Sequence, residues 1–159
     1  MGRATPWGGA KMARFIATTH LPHPPSAVFN LHLDPNNLIA LSPPGITTTI
    51  LSCRLPLHEG SVIALDVRKW GFSQLWEIEI ERLVADQLLV DRALKSPFGA
   101  WRHEHRFIAE GSGTRLEDVI TYTPPFSPVG YLALPLIERE LQKLFTYRHQ
   151  KSAELLRRH

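Results

Sequence analysis

Cysteine is almost absent: the chain holds one, Cys53, in 159 residues. An intramolecular disulfide is therefore impossible, and the usage suits a reducing cytoplasm. Cys53 sits in an apolar run and reads as core. It has no local activating partner, and no serine stands in a nucleophile-elbow pattern, so covalent catalysis finds no support. No stretch approaches the ~18 apolar residues of a membrane span. Residues 1–11 carry glycines and a proline but no apolar core, so they are not a signal peptide. Charge of one sign is scarce too. The formal net charge is +3, and no basic run interleaved with aromatics marks a nucleic-acid surface. The densest basic run, at residues 148–159, reads as a solvated helix end where cations meet the negative pole of the helix dipole. Repeats, glycine-rich phosphate loops and low-complexity tracts are missing. What remains is a globular chain, 43% hydrophobic and long enough for one real core. We expect a single domain over residues 12–159 behind a weakly ordered extension at 1–11.

The order of local patterns is informative. Residues 12–20 alternate as a first strand, and Pro22, Pro24 and Pro25 break it. A short helix is expected over 26–33. Asp34-Pro35, a helix cap followed by a proline suited to the first turn, opens a second over 34–41. Ser42-Pro43-Pro44-Gly45 stops it. Six strands follow, near 46–54, 61–70, 73–83, 87–94, 100–109 and 114–123, joined largely by turns of hairpin length such as Gly111-Ser112-Gly113. Hairpins imply an antiparallel sheet. Beyond the stiff Thr123-Pro124-Pro125-Phe126-Ser127-Pro128 segment the chain is helical. Ile137, Leu141, Leu144 and Phe145 form its apolar stripe, and Pro135 kinks the helix or marks its start. This helix alone is large enough to cover the apolar face of the sheet, and a cavity belongs naturally between the two.

The chemistry concentrates in Trp101-Arg102-His103-Glu104-His105-Arg106-Phe107. Strict alternation puts Arg102, Glu104 and Arg106 on one face and Trp101, His103, His105 and Phe107 on the other. Two imidazoles thus stand on an apolar face. Burying a polar ring without a partner costs roughly 1–3 kcal/mol, so each needs one. Counting outward from the Gly111 hairpin puts Asp118 roughly opposite His105, with Ile120 and Tyr122 opposite His103 and Trp101. Asp118 accepting from one ring nitrogen would orient an imidazole and raise its basicity. Three readings of His103, His105 and Asp118 stay open: a self-satisfied polar cluster, recognition of a ligand's polar end, and acid/base catalysis. A metal site lacks further convincingly placed ligands, and no metal or cofactor is expected. Asp91 and Arg92 alternate on a central strand, so one could point inward. An inward Arg92 would anchor a carboxylate; otherwise it forms a surface ion pair. Arg148 would pair with a sheet carboxylate or extend its head to water.

Several ordered matches carry a resemblance. They are Leu33-Asp34-Pro35-Asn36-Asn37-Leu38 with Ser42-Pro43-Pro44; Glu59-Gly60-Ser61; Trp76; Pro97-Phe98 with the Trp101 to Phe107 motif; Gly113-Thr114, Leu116, Asp118 and Tyr122; and Tyr147-Arg148. Together they resemble the SRPBCC superfamily of START-like and polyketide cyclase/dehydrase-like proteins, closest to a bacterial ligand-binding branch. The resemblance implies an α+β helix-grip fold, with about seven antiparallel strands curved around a long C-terminal helix and two short helices after strand 1. It also implies a small hydrophobic or amphipathic ligand held between sheet and helix. His103, His105, Asp118 and Tyr122 would meet the ligand's polar end. Trp76, Trp101 and Phe107 would form walls, with Leu141 and Phe145 as the lid. The alternative is a cyclase or dehydratase in which His103 or His105 moves a proton with Asp118. A further alternative is an interaction module linked to cell division, a label some relatives carry.

Overall fold

The computed structural model describes residues 11–158; of the extension expected at 1–11, all but residue 11 lies outside the described residues. Strand β1 (Ala13–Leu21) is followed by α1 (Pro25–Leu33) and α2 (Asn36–Ala40). Then come β2 (Ile46–Ser52), β3 (Val62–Lys69), β4 (Phe72–Val84), β5 (Leu88–Lys95), β6 (Ala100–Glu110) and β7 (Gly113–Thr123). A 3-10 turn (Val129–Ala133) leads into α3 (Leu134–Arg157). Pro135 lies in the first turn of α3, where its missing N–H has no partner to lose, so it starts the helix rather than kinking it.

The seven strands form one antiparallel sheet in the order β1-β7-β6-β5-β4-β3-β2. Every neighbour except the β1–β7 pair is consecutive in the chain, which is what short hairpins permit. The expected register of the central pair holds: His105 faces Asp118, His103 faces Ile120 and Trp101 faces Tyr122. On the outer face Arg102 bonds Glu81 at 2.7 Å, and Arg106 bonds Glu104 at 2.6 Å and Glu117 at 2.9 Å. Arg92 also points outward, to Glu79 at 2.7 Å. Its neighbour Asp91 is the one that turns inward.

Two apolar clusters hold the sheet to the helices. One joins Leu21, Val28, Phe29, Leu89, Phe107, Leu116 and Leu156, with Phe29 edge-on to Phe107 at 5.4 Å. The other joins Phe15, Trp101, Ile120, Tyr122, Leu141 and Phe145, with Trp76 and Phe98 packed against it. The buried stripe of α3 runs Leu141, Phe145, His149, Ser152 and Leu156. That corrects the reading of the basic helix end as wholly solvated: His149 continues the stripe one turn beyond Phe145 and is buried, while Arg157 and Arg158 are exposed. Cys53 is likewise not core. It lies just past the end of β2, partly exposed, where the sheet has reached its edge.

Candidate functional site

Between the two clusters the inward face turns polar. Asp118 on β7 is its centre, almost fully buried. Its Oδ1 accepts a hydrogen bond from His103 Nε2 at 2.8 Å, and its Oδ2 accepts one from His149 Nε2 at 2.6 Å. His105 Nδ1 lies 3.0 Å from Oδ1 but off the line that an N–H would follow, so that contact is Coulombic. On its other side, His105 Nε2 donates to Asp91 Oδ2 at 3.2 Å. The His103 and His105 rings stack with centroids 3.7 Å apart. His32 on α1 completes the group, its ring 5.4 Å from that of His105. Its Nδ1 lies 2.8 Å from the carbonyl of Val28. A carbonyl only accepts, so Nδ1 carries the proton and Nε2 is left as an acceptor.

These partners set the titration of the cluster. Burial opposes charge on Asp118, but the hydrogen bonds from His103 and His149, with the His105 imidazole beside them, outweigh it and hold the carboxyl well below the usual carboxylate range. Burial also pulls His105 down, yet Asp118 and Asp91 together lift it to about 9. His32 goes the opposite way. Burial, reinforced by the His105 charge, lowers it to about 4. Burial and the same neighbour lower His103, with Asp118 opposing. The adjacent imidazoles of His32 and His105 therefore favour opposite protonation states at neutral pH.

The cluster borders a hollow of about 80 Å³. Leu31, Pro35, Leu38 and Leu41 from the short helices, and Ile63, Ile78, Ile80 and Leu89 from the sheet, supply apolar walls. Phe145, Arg148, His149 and Ser152 of α3 form the remaining side. The hollow thus lies under α1 and α2 as well as α3, not between sheet and α3 alone. Among the residues expected to contact a ligand, His103, His105, Asp118 and Phe145 border it. Trp76, Trp101, Phe107, Tyr122 and Leu141 do not; they belong to the packed clusters. Phe107 is covered by Phe29, whereas for Trp76, Trp101 and Tyr122 the covering residue is Phe98, which folds in from the β5–β6 loop to lie 4.8 Å from Trp101 and 5.7 Å from Tyr122. It fills the space that those walls would otherwise enclose.

Sequence reasoning missed two members, His32 and His149, and left Asp91 and Arg148 as open alternatives. Three of these four had a periodic signal. Asp91 alternates with the inward Leu89 and Ala93, His32 follows Val28 by one helical turn, and His149 follows Phe145 likewise. Only Asp91, His103 and His105 offer donor atoms close enough to suggest a metal among the described residues, within 4.8 Å of one another. Tetrahedral zinc ligands stand roughly 3.4 Å apart, so the trio would have to contract and its hydrogen bonds break. The Arg148 guanidinium, bordering the same hollow, further opposes a dication.

A curved antiparallel sheet gripping a long helix over a lined hollow defines a helix-grip protein. The chain belongs to the polyketide cyclase/dehydrase and lipid transport family, whose model matches residues 21–146. Solved structures agree on the fold. The Zhui aromatase/cyclase from Streptomyces sp. R1128 is 17% identical, with TM-score 0.74 over 93% of this chain and 95% of that one. TTHA0849 from Thermus thermophilus is 18% identical, with TM-score 0.73 over 91% and 97%. CV1439 from Chromobacterium violaceum is 15% identical, with TM-score 0.73 over 90% and 96%. A comparison with curated proteins returns no match. No helix among the described residues is long and apolar enough to cross a membrane.

Proposed function

We propose that the protein binds a small amphipathic molecule, its apolar stem between the short helices and the sheet and its polar end against the imidazole–carboxylate cluster. The observation that carries this reading is the hollow's mixed lining: a mainly aliphatic surface from the short helices and the sheet, and on the same hollow a linked set of imidazoles and carboxylates. Its size selects the ligand. Sites for drug-sized molecules run to roughly 300–1,000 Å³, so about 80 Å³ suits a polar head with a few carbons rather than a whole acyl chain. A homologous series of 1-alkanols, from butanol to decanol, tests it by calorimetry. Affinity should rise about fourfold per methylene while carbons enter the hollow, at ~0.8 kcal/mol each, and then level off. A series that shows no binding contradicts the proposal.

One observation favours a second reading, acid/base turnover. His32 and His105 lie 5.4 Å apart with protonation pushed to about 4 and about 9, and opposed environments are how one site holds both a base and an acid. Exchange of the α-protons of 2-hexanone in D2O, followed by NMR, reads such a step without knowledge of the product. Acceleration by the protein that is lost in His32→Gln and His105→Gln supports this reading. No acceleration by the unaltered protein ends it.

A further inference from the structure

Arg148 is a cation without a protein partner. It projects from α3 onto the hollow beside Phe145 and His149. Its Nε is fully enclosed and has no acceptor, and among the described residues no carboxylate lies within ion-pair distance of its guanidinium. The two carboxylates that border the same hollow, buried Asp118 and partly buried Asp91, are engaged elsewhere: Asp118 with His103 and His149, Asp91 with His105. Arg148 does not pair with a sheet carboxylate, and although its outer guanidinium nitrogens keep some accessible surface, Nε is shut away from it. Enclosing a guanidinium donor without an acceptor is costly. Such a group is retained where something else supplies the acceptor.

We propose that Arg148 receives the carboxylate of a small monocarboxylic amphiphile, and so selects an acid over the corresponding alcohol or amine. This rests on the binding reading above and specifies the ligand's polar end. The guanidinium carbon lies 5.5 Å from the centre of the Phe145 ring, and the contact leaves the guanidinium edges for in-plane bonding. A carboxylate fits that planar fork with two parallel hydrogen bonds. A phosphate dianion fits less well, because Asp118 and Asp91 border the same hollow and a second negative charge would face both. The hollow's volume sets the same limit as before, a carboxyl group with a short stem.

Calorimetric titration with sodium hexanoate, 1-hexanol and hexylamine separates the outcomes. The unaltered protein should bind hexanoate at least tenfold more tightly than hexanol, and hexylamine most weakly. In Arg148→Met the ratio of hexanoate to hexanol affinity should fall to near one. Arg148→Lys, which keeps the charge but loses the fork, should fall between them. It also provides the test if the methionine variant does not fold. A guanidinium with no partner in the free protein predicts that Arg148→Met melts no lower than the unaltered protein; a clear drop would make Arg148 a structural ion and overturn the assignment. Equal binding of hexanoate and hexanol by the unaltered protein overturns the carboxylate role and leaves the binding reading standing. Binding of neither overturns both. A preference for hexanoate that survives both substitutions also overturns the role of Arg148.

Discussion

Strand β6 serves two different interiors. At its ends Trp101 and Phe107 are packed among aromatic and aliphatic side chains, while between them His103 and His105 join a polar cluster that borders the hollow. All four residues share one phase of the same alternation. What separates them is what arrives from opposite. Phe98 and Leu141 close over Trp101, and Phe29 closes over Phe107. Over the middle of the strand come His32 from α1 and His149 from α3, with Asp118 and Asp91 on the flanking strands. Inward direction is thus a property of the strand, but the character of the interior is decided by its partners. The packed region gains from dispersion and water exclusion. The polar region is stable only while each donor keeps its acceptor.

The largest effects should come from attacking each region at its centre. Asp118→Ala removes the shared acceptor of His103 and His149, and should cost about 3–5 kcal/mol, as breaking a buried charged network does. Trp101→Ala should cost a similar ~3–5 kcal/mol through loss of packing. Urea unfolding measures both, and the pH profile tells them apart: Trp101→Ala should keep the profile of the unaltered protein and Asp118→Ala should not. Identical profiles would erase the distinction between the regions.

A somewhat smaller effect is the pH dependence itself. His105 is raised to about 9 from an unfolded value near 6.5, so its contribution is fully present below about pH 6.5 and is lost as pH rises through about 9. The size is of order 3 kcal/mol. His32 is lowered to about 4, so between about pH 6.5 and 4 the unfolded chain takes a proton that the folded one refuses, and stability falls with falling pH. Asp118 adds to that acid limb, since its stabilisation is lost as pH falls through its depressed value. Melting temperature should peak near pH ~6.5. His105→Gln should flatten the alkaline limb and His32→Gln the upper part of the acid limb. An alkaline limb unchanged by His105→Gln would contradict the assignment.

The smallest effect belongs to the packed region. Tyr122 is fully buried and its hydroxyl has no protein partner among the described residues. Tyr122→Phe should therefore be within ~0.5 kcal/mol of neutral, or stabilising by about 1 kcal/mol. A loss above about 2 kcal/mol would show that the hydroxyl is satisfied and that this region is less dry than its packing indicates.

The fold was largely legible because its signals are local. Period-two alternation, proline and glycine punctuation and the Gly111 turn fix strands and neighbours, and the turn also fixes the β6–β7 register that brings Asp118 to the histidines. The site was legible only in part. His103, His105 and Asp118 lie on two strands joined by one hairpin, so counting residues suffices. His32, Asp91, Arg148 and His149 reach the same place from three other elements, and no local pattern says where separate elements meet. The aromatic walls failed for a related reason. Trp76, Trp101 and Tyr122 do face inward, but one loop residue, Phe98, decides that their space is filled.

The most direct measurement is NMR of the histidine ring nitrogens and tryptophan indole N–H groups during titration with hexanoate and 1-hexanol. The rings of His32, His103 and His105 should shift with at least one of the two ligands, while the indole signals of Trp76 and Trp101 should hold still. Indole signals that move while the imidazoles stay fixed, or no movement at either, would contradict it.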